Sequence, residues 1–195
     1  MFEVIKTVNS YMKRYPAYPL FIPPEHLVDK GNKQWNAQEA IEYRKWLLGV
    51  MDERIAALLE RFDEPLNSEP SDHLLRIGKK IATVLVNEPY SHTSSNKKLL
   101  TNVGNAVAAD MGLLIAHYLL QAFPDNLKWK TIRRPKSAWA YNMPVLVGFE
   151  ITHLEPVGGS IAEANGIVKG IRDANIWKSI YEYWASKVMN PVQED

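Results

Sequence analysis

Apolar and polar positions recur along most of this chain with the period of a helix. Between Asn36 and Phe62, the residues Tyr43, Leu47, Val50, Met51, Ile55, Leu58, Leu59 and Phe62 fall at three- and four-residue spacing and form one stripe. Asn36 followed by Glu39 is a capping-box pattern, in which each side chain reaches the other's free backbone N–H. With Pro65 bounding the far end, a helix is predicted from Asn36 to about Phe62. Ser71 and Asp72 open a second helix reaching Val86 or Asn87, with Leu74, Ile77, Ile81 and Leu85 on one face. The polar stretch 87–96, NEPYSHTSSN, reads as a loop. A third helix is predicted over 99–123, stopping at Pro124; its centre, Met111 to Leu120, is the most apolar segment of the chain. That segment is about half the length needed to span a bilayer, so a buried helix is expected rather than a membrane span.

The period changes after Pro124. Residues 127–136 alternate basic and apolar side chains, and 144–149 is a β-branched apolar run, so two antiparallel strands are expected, joined through 137–143. Ser160 and Glu163, after Gly158 and Gly159, make a second capping-box pattern and predict a helix to about Lys169. A last helix near 174–188 carries Trp177, Tyr181, Trp184 and Val188 on one stripe. At the other end, 2–14 has the spacing of a short amphipathic helix. Pro16, Pro19, Pro23 and Pro24 then exclude regular structure through about residue 34. Tyr15, Tyr18, Phe21 and Ile22 are interleaved with these prolines, which suits an arm packed on the body better than a free linker. The expected architecture is one domain over 1–195, mainly α with a small antiparallel β-hairpin, with α+β as the alternative.

Composition narrows the chemistry. A chain of 195 residues with 46% hydrophobic positions can bury roughly 70% of its unfolded surface without metal or disulfide staples. It has no cysteine, which excludes disulfides, thiolate nucleophiles and cysteine-ligated metal centres. No apolar run of secretory type opens the chain, and a cytoplasmic protein without a membrane segment is expected.

Charge changes the picture when it is taken by segment. The total is +1, which is no global invitation to nucleic acid or an anionic membrane. Residues 127–142, however, carry five basic side chains and no acidic one, whereas 143–195 carry four basic and seven acidic. Lys128, Lys130, Arg133, Arg134 and Lys136 are interleaved with Trp129, Trp139 and Tyr141. Such a strip suits recognition of an acidic protein, or of nucleic acid through stacking and phosphate contacts, with nucleic acid the weaker candidate. It also suits the solvated edge of a hairpin, where Lys and Arg discourage edge-to-edge pairing.

Two charges interrupt the core stripes. Arg54 falls on the face of Leu47, Met51 and Leu58, and Asp110 on the face of Ala106, Leu113, His117 and Leu120. An unpaired buried charge is costly, so the two are expected to form a structural ion pair, with each other or through His117. Catalytic signatures are weak. The five histidines include no HExxH and no helical pair, no GxSxG or P-loop occurs, and neither a metal ligand set nor a cofactor is expected. An Asp110, His117, Glu150 and His153 cluster is the alternative, as a small metal-dependent or acid–base hydrolase.

Four stretches together carry a resemblance. They are WNAQEAIEYRKWLLGVMDERIAAL (35–58), AADMGLLIAHYLL (108–120), LKW (127–129) with MPVLVGF (143–149), and IYEYW (180–184). Their order resembles an uncharacterised family of small bacterial cytoplasmic proteins, some suspected of immunity-type roles beside toxins. Members often have Gly-x-Tyr where this chain has Ala116, His117 and Tyr118. The resemblance implies a bacterial source and binding rather than catalysis, and it brings no cofactor or catalytic residue. A non-catalytic, macromolecule-binding protein is therefore expected, with a protein partner ahead of nucleic acid and a homodimer open as a further possibility.

Overall fold

The computed structural model describes residues 18–189, so the helix expected over 2–14 lies outside the described residues. The described chain is mainly α, with two small antiparallel sheets of two strands each. Its elements are α1 (Glu25–Val28), a 3₁₀ turn (Asn32–Gln34), α2 (Ala37–Phe62), α3 (Pro70–Leu85), β1 (Ser91–Ser94), β2 (Lys97–Leu100), α4 (Asn102–Ala122), β3 (Lys128–Thr131), β4 (Pro144–Val147), α5 (Pro156–Val168) and α6 (Ile176–Ala185).

The helix with the clearest periodicity, α2, starts where its capping box places it. The Asn36 side chain accepts from the Glu39 N–H, and the Glu39 carboxylate accepts from the Asn36 N–H. Four expectations need correction. The proline-rich arm is not free of regular structure, since α1 and the 3₁₀ turn lie within it. The stretch 87–96 is not a plain loop: 91–94 pairs with 97–100 as a hairpin. Its two-residue turn, Ser95 and Asn96, holds both residues at positive φ, as a primed turn requires. The third helix therefore starts later than Leu99. Thr101 caps α4, accepting from the Gly104 N–H while donating its hydroxyl to the Pro89 carbonyl.

The last correction concerns α5. Glu155, not Ser160, caps it, its carboxylate accepting from the Val157 and Gly158 amides with Pro156 in the first turn. Ser160 instead lies inside the helix, where its hydroxyl accepts from the indole N–H of the fully buried Trp177, joining α5 to α6.

The core is organised around α4. Every residue from Ala106 to Ala116 is buried, so this helix has no solvent face over three turns. It is long and apolar enough to cross a bilayer by composition alone, but 83% of that stretch is enclosed by the other elements. Close approach needs small residues. A Cβ on Gly112 would stand 2.1 Å from the Pro156 carbonyl oxygen, so α5 could not start where it does beside any larger residue. On the α3 side, the Tyr118 hydroxyl accepts from the Asn67 N–H and is hydrogen-bonded to His73 Nδ1 at 2.5 Å.

One charged group is buried inside this helix. Asp110 is fully buried and faces Arg54 of α2, with Nε to Oδ1 at 2.5 Å and Nη2 to Oδ2 at 2.7 Å. Tyr18 donates its hydroxyl to the same carboxylate at 2.5 Å. The guanidinium also donates to the carbonyls of Pro19 (3.0 Å) and Leu20 (2.9 Å), and it lies 5.0 Å from the centre of the Phe21 ring. Four of the five N–H donors of Arg54 are thus used, and three separate stretches of chain meet on one pair of charges. Burial outweighs the opposing pull of Arg54 and Tyr18 and leaves the Asp110 carboxyl raised to about 6.

Removing either charge leaves the other buried and alone. Asp110→Ala and Arg54→Ala are each expected to cost about 3–5 kcal/mol in denaturant unfolding. The double variant is expected to lose much less than the sum. Additive losses would show that the two side chains are not energetically coupled.

Candidate functional site

The basic–aromatic strip folds as a hairpin and a docked loop. β3 pairs with β4, with Lys128 opposite Val147 and Lys130 opposite Val145. On its other side β4 meets Leu154 through a bridge with two hydrogen bonds, so β3 is the outer strand of the pair. Strand alternation sends Lys128 and Lys130 to solvent and turns Trp129 toward the core.

The loop between the strands is held rigidly by Asn142. This residue is fully buried at a φ of 67°, a left-handed conformation that Asn tolerates better than most side chains. Its amide donates to the carbonyls of Asn32 (2.8 Å) and Trp35 (2.7 Å), and its side-chain oxygen accepts from Arg133 at 2.6 Å. Asn32 reciprocates, donating to the carbonyls of Trp139 and Tyr141. The loop is therefore locked to the 3₁₀ turn ahead of α2 from both directions.

This lock divides the seven proposed binding residues into two groups. Lys128, Lys130, Arg134 and Trp139 are exposed, Trp139 at 59%, and the neighbouring Lys136 is exposed as well. Tyr141 is 5% exposed and Trp129 half-buried, so both serve packing. Arg133 is spent on the scaffold: besides Asn142 it donates to the Asn36 carbonyl, and its guanidinium lies 5.7 Å from the centre of the Tyr141 ring. Among the described residues, Lys128, Lys130, Arg134 and Lys136 have no carboxylate within salt-bridge distance, while two acids of the C-terminal quarter pair elsewhere, Glu163 with Arg172 and Glu182 with Lys178.

The alternative Asp110, His117, Glu150 and His153 cluster does not assemble. Asp110 is engaged by Arg54 and Tyr18, Glu150 is exposed, and the described residues contain no group of three or more acidic or histidine side chains able to hold a metal. Of the four, only His153 borders a cavity.

That cavity, of about 200 Å³, lies beside the strip and shares Trp139 with it. Its walls are apolar: Ile115 from α4, Leu154 and Pro156 at the start of α5, and Ile180 and Trp184 from α6. His153, Glu155, Ser160 and Glu163 are its polar lining residues, and among the described residues no Lys or Arg lines it. Glu155 is 2% exposed. Burial lifts its carboxyl to about 7, opposed by the hydrogen bonds from Gly158 and Val157. Burial lowers His153, so its ring is neutral at pH 7. Gly158 makes the arrangement possible: a Cβ there would meet the Glu155 carboxylate at 2.5 Å and the Trp139 ring at 3.4 Å. Glu155 went unnoticed in the sequence because a lone Glu before a Pro carries no pattern; only its burial singles it out.

Comparison of the chain with protein families, with curated proteins and with solved structures gives no match.

Two outcomes follow from this geometry. Asn142→Ala removes three hydrogen bonds and puts Ala at positive φ, and it is expected to cost about 2–4 kcal/mol. It should also expose the Lys136–Ser137 bond to trypsin, and unchanged protease resistance would contradict the lock. The second concerns pH. Glu155 binds its proton more tightly folded than unfolded, so its contribution to stability is full below the ordinary Glu range and is lost as pH rises through about 7. Thermal unfolding from pH 5 to 8 should therefore show the wild type losing ground to Glu155→Gln as pH rises. Parallel profiles would contradict the raised value.

Proposed function

We propose that this protein acts by binding an acidic protein partner through the exposed face of β3 and its docked loop. Lys128, Lys130, Arg134, Lys136 and Trp139 form the contact surface. The observation that supports this reading is that, among the described residues, no carboxylate pairs with the four exposed cations, Lys128 and Lys130 on β3 and Arg134 and Lys136 on the docked loop. Side chains fixed on a locked backbone lose less entropy on association, and an exposed Trp flanked by cations is the side-chain combination that dominates interface energetics. A protein is favoured over nucleic acid because stacking on successive bases needs several open aromatic faces. Here Tyr141 is buried and Trp129 half-buried, which leaves Trp139 alone. The resemblance noted above adds a setting, the bacterial cytoplasm, and a class, the immunity-type protein whose target is a toxin.

Capture from a native lysate of the source organism tests the reading with wild type against Lys128→Glu/Arg134→Glu/Lys136→Glu. Arg133 is left intact because it holds the loop. The wild type is expected to retain an acidic protein that the variant loses and that about 0.5 M salt releases. Equal recovery by both proteins overturns the proposal, and so does a captured fraction that nuclease abolishes.

A further inference from the structure

The cavity shares only Trp139 with the proposed contact surface, and the rest of its lining has a definite chemical character. We infer that it is a binding site for a small organic cation of the alkylammonium type, seated between Trp139, Trp184 and the Glu155 carboxylate.

Size comes first. At about 200 Å³ the cavity is smaller than the roughly 300–1,000 Å³ of pockets that take drug-sized ligands, so its occupant is a compact molecule. Its body must be apolar, because Ile115, Leu154 and Ile180 make up much of the wall. Its charge is set by what the wall lacks. Among the described residues no cationic side chain lines the cavity, whereas a buried carboxylate does, and an anion would meet Glu155 with no described cation to balance it. Two indole rings add the ring faces that attract alkylammonium groups, an attraction of about 0.5–2 kcal/mol each depending on desolvation.

The surroundings of Glu155 agree with a cation. Its titratable neighbours are Tyr43 of α2, a phenol that burial and the Glu155 charge push up and keep neutral; His153, which burial lowers; and Glu163, already paired with Arg172. None supplies a positive charge. The positive end of α5 is the one favourable field on Glu155, through the amides of Val157 and Gly158. Those amides, with that of Gly159 also acting on the carboxylate, leave part of its roughly four acceptor positions unfilled. Capacity remains on a group that lines the cavity. Trp139 is held in place independently of any ligand, since its carbonyl accepts from Asn32 and its ring edge sits over Gly158.

The test compares choline with its uncharged carbon isostere 3,3-dimethylbutan-1-ol, by isothermal titration with the full chain. The two differ in charge and hardly in shape. Choline is expected to bind about tenfold more tightly, the scale of a desolvated cation–π contact. Glu155→Gln and Trp139→Ala, the second at an exposed position where folding is not at stake, should each lower choline affinity about fivefold or more and leave the isostere unchanged. Choline affinity should rise from pH 5.5 to 8 as Glu155 loses its proton, with the rise reduced in Glu155→Gln; any slope left there reports His153. Equal binding of the two probes, or no binding of choline by the wild type at about 10 mM, overturns the inference. The lysine and arginine reversals of the strip leave these probes' site untouched, so this result and the partner-capture result stand or fall separately.

Discussion

A charge cannot be buried in a protein core without company, and the architecture of this chain follows from how it meets that constraint at Asp110. The carboxylate sits in the middle of the most enclosed helix and is answered by Arg54 from α2 and by Tyr18 from the arm. Because Arg54 spends its remaining donors on the Pro19 and Leu20 carbonyls, the arm's path is set by the same residue that neutralises the core. An apolar pair in these positions could be equally stable. It would not dictate where residues 18–21 run, and that directional requirement is what the ion pair adds.

From there the structure builds outward in order. The arm continues through α1 to the 3₁₀ turn, whose Asn32 grips the β3–β4 loop, and α2 begins immediately beyond at Asn36. Arg133 closes the circuit by reaching back to the Asn36 carbonyl. The strip's exposed cations are therefore displayed on a surface whose position is traceable, contact by contact, to the buried pair. The cavity arises on the far side of the same loop, where β4 holds Leu154 and thereby places Glu155 at the head of α5.

Long-period features were legible in the sequence and short ones were not. The α2 stripe and the mainly α character follow from patterns repeated over many residues, and the β3–β4 hairpin from the ten-residue basic–apolar alternation of 127–136 followed by a β-branched run. Arg54 and Asp110 stood out because a charge on an apolar stripe violates its own pattern. The β1–β2 hairpin escaped because its Ser95–Asn96 turn lacks the glycine that usually marks positive φ, and its strands alternate too briefly to register. The start of α5 was misplaced since Ser160 and Glu163 mimic a cap, whereas the true one depends on Glu155 being enclosed by residues far off in sequence. The burial of Tyr141 and the engagement of the exposed Arg133 are hidden for the same reason: residue type announces a basic–aromatic strip, but only tertiary contact decides which members are free to bind.

The enclosure of α4 has a consequence in time as well as in space. Two of the elements that cover it, α5 and α6, follow it in the chain, with Pro156 and Trp177 among the last residues to take their places. During synthesis at about 5–20 residues per second, a 21-residue apolar helix must wait several seconds for its covering. Throughout that interval it offers the length and hydropathy of a bilayer segment, with Asp110 its one acidic residue. The carboxylate that the finished protein works to neutralise is, in the nascent chain, a cost of about 2.5–3.5 kcal/mol against partitioning into lipid.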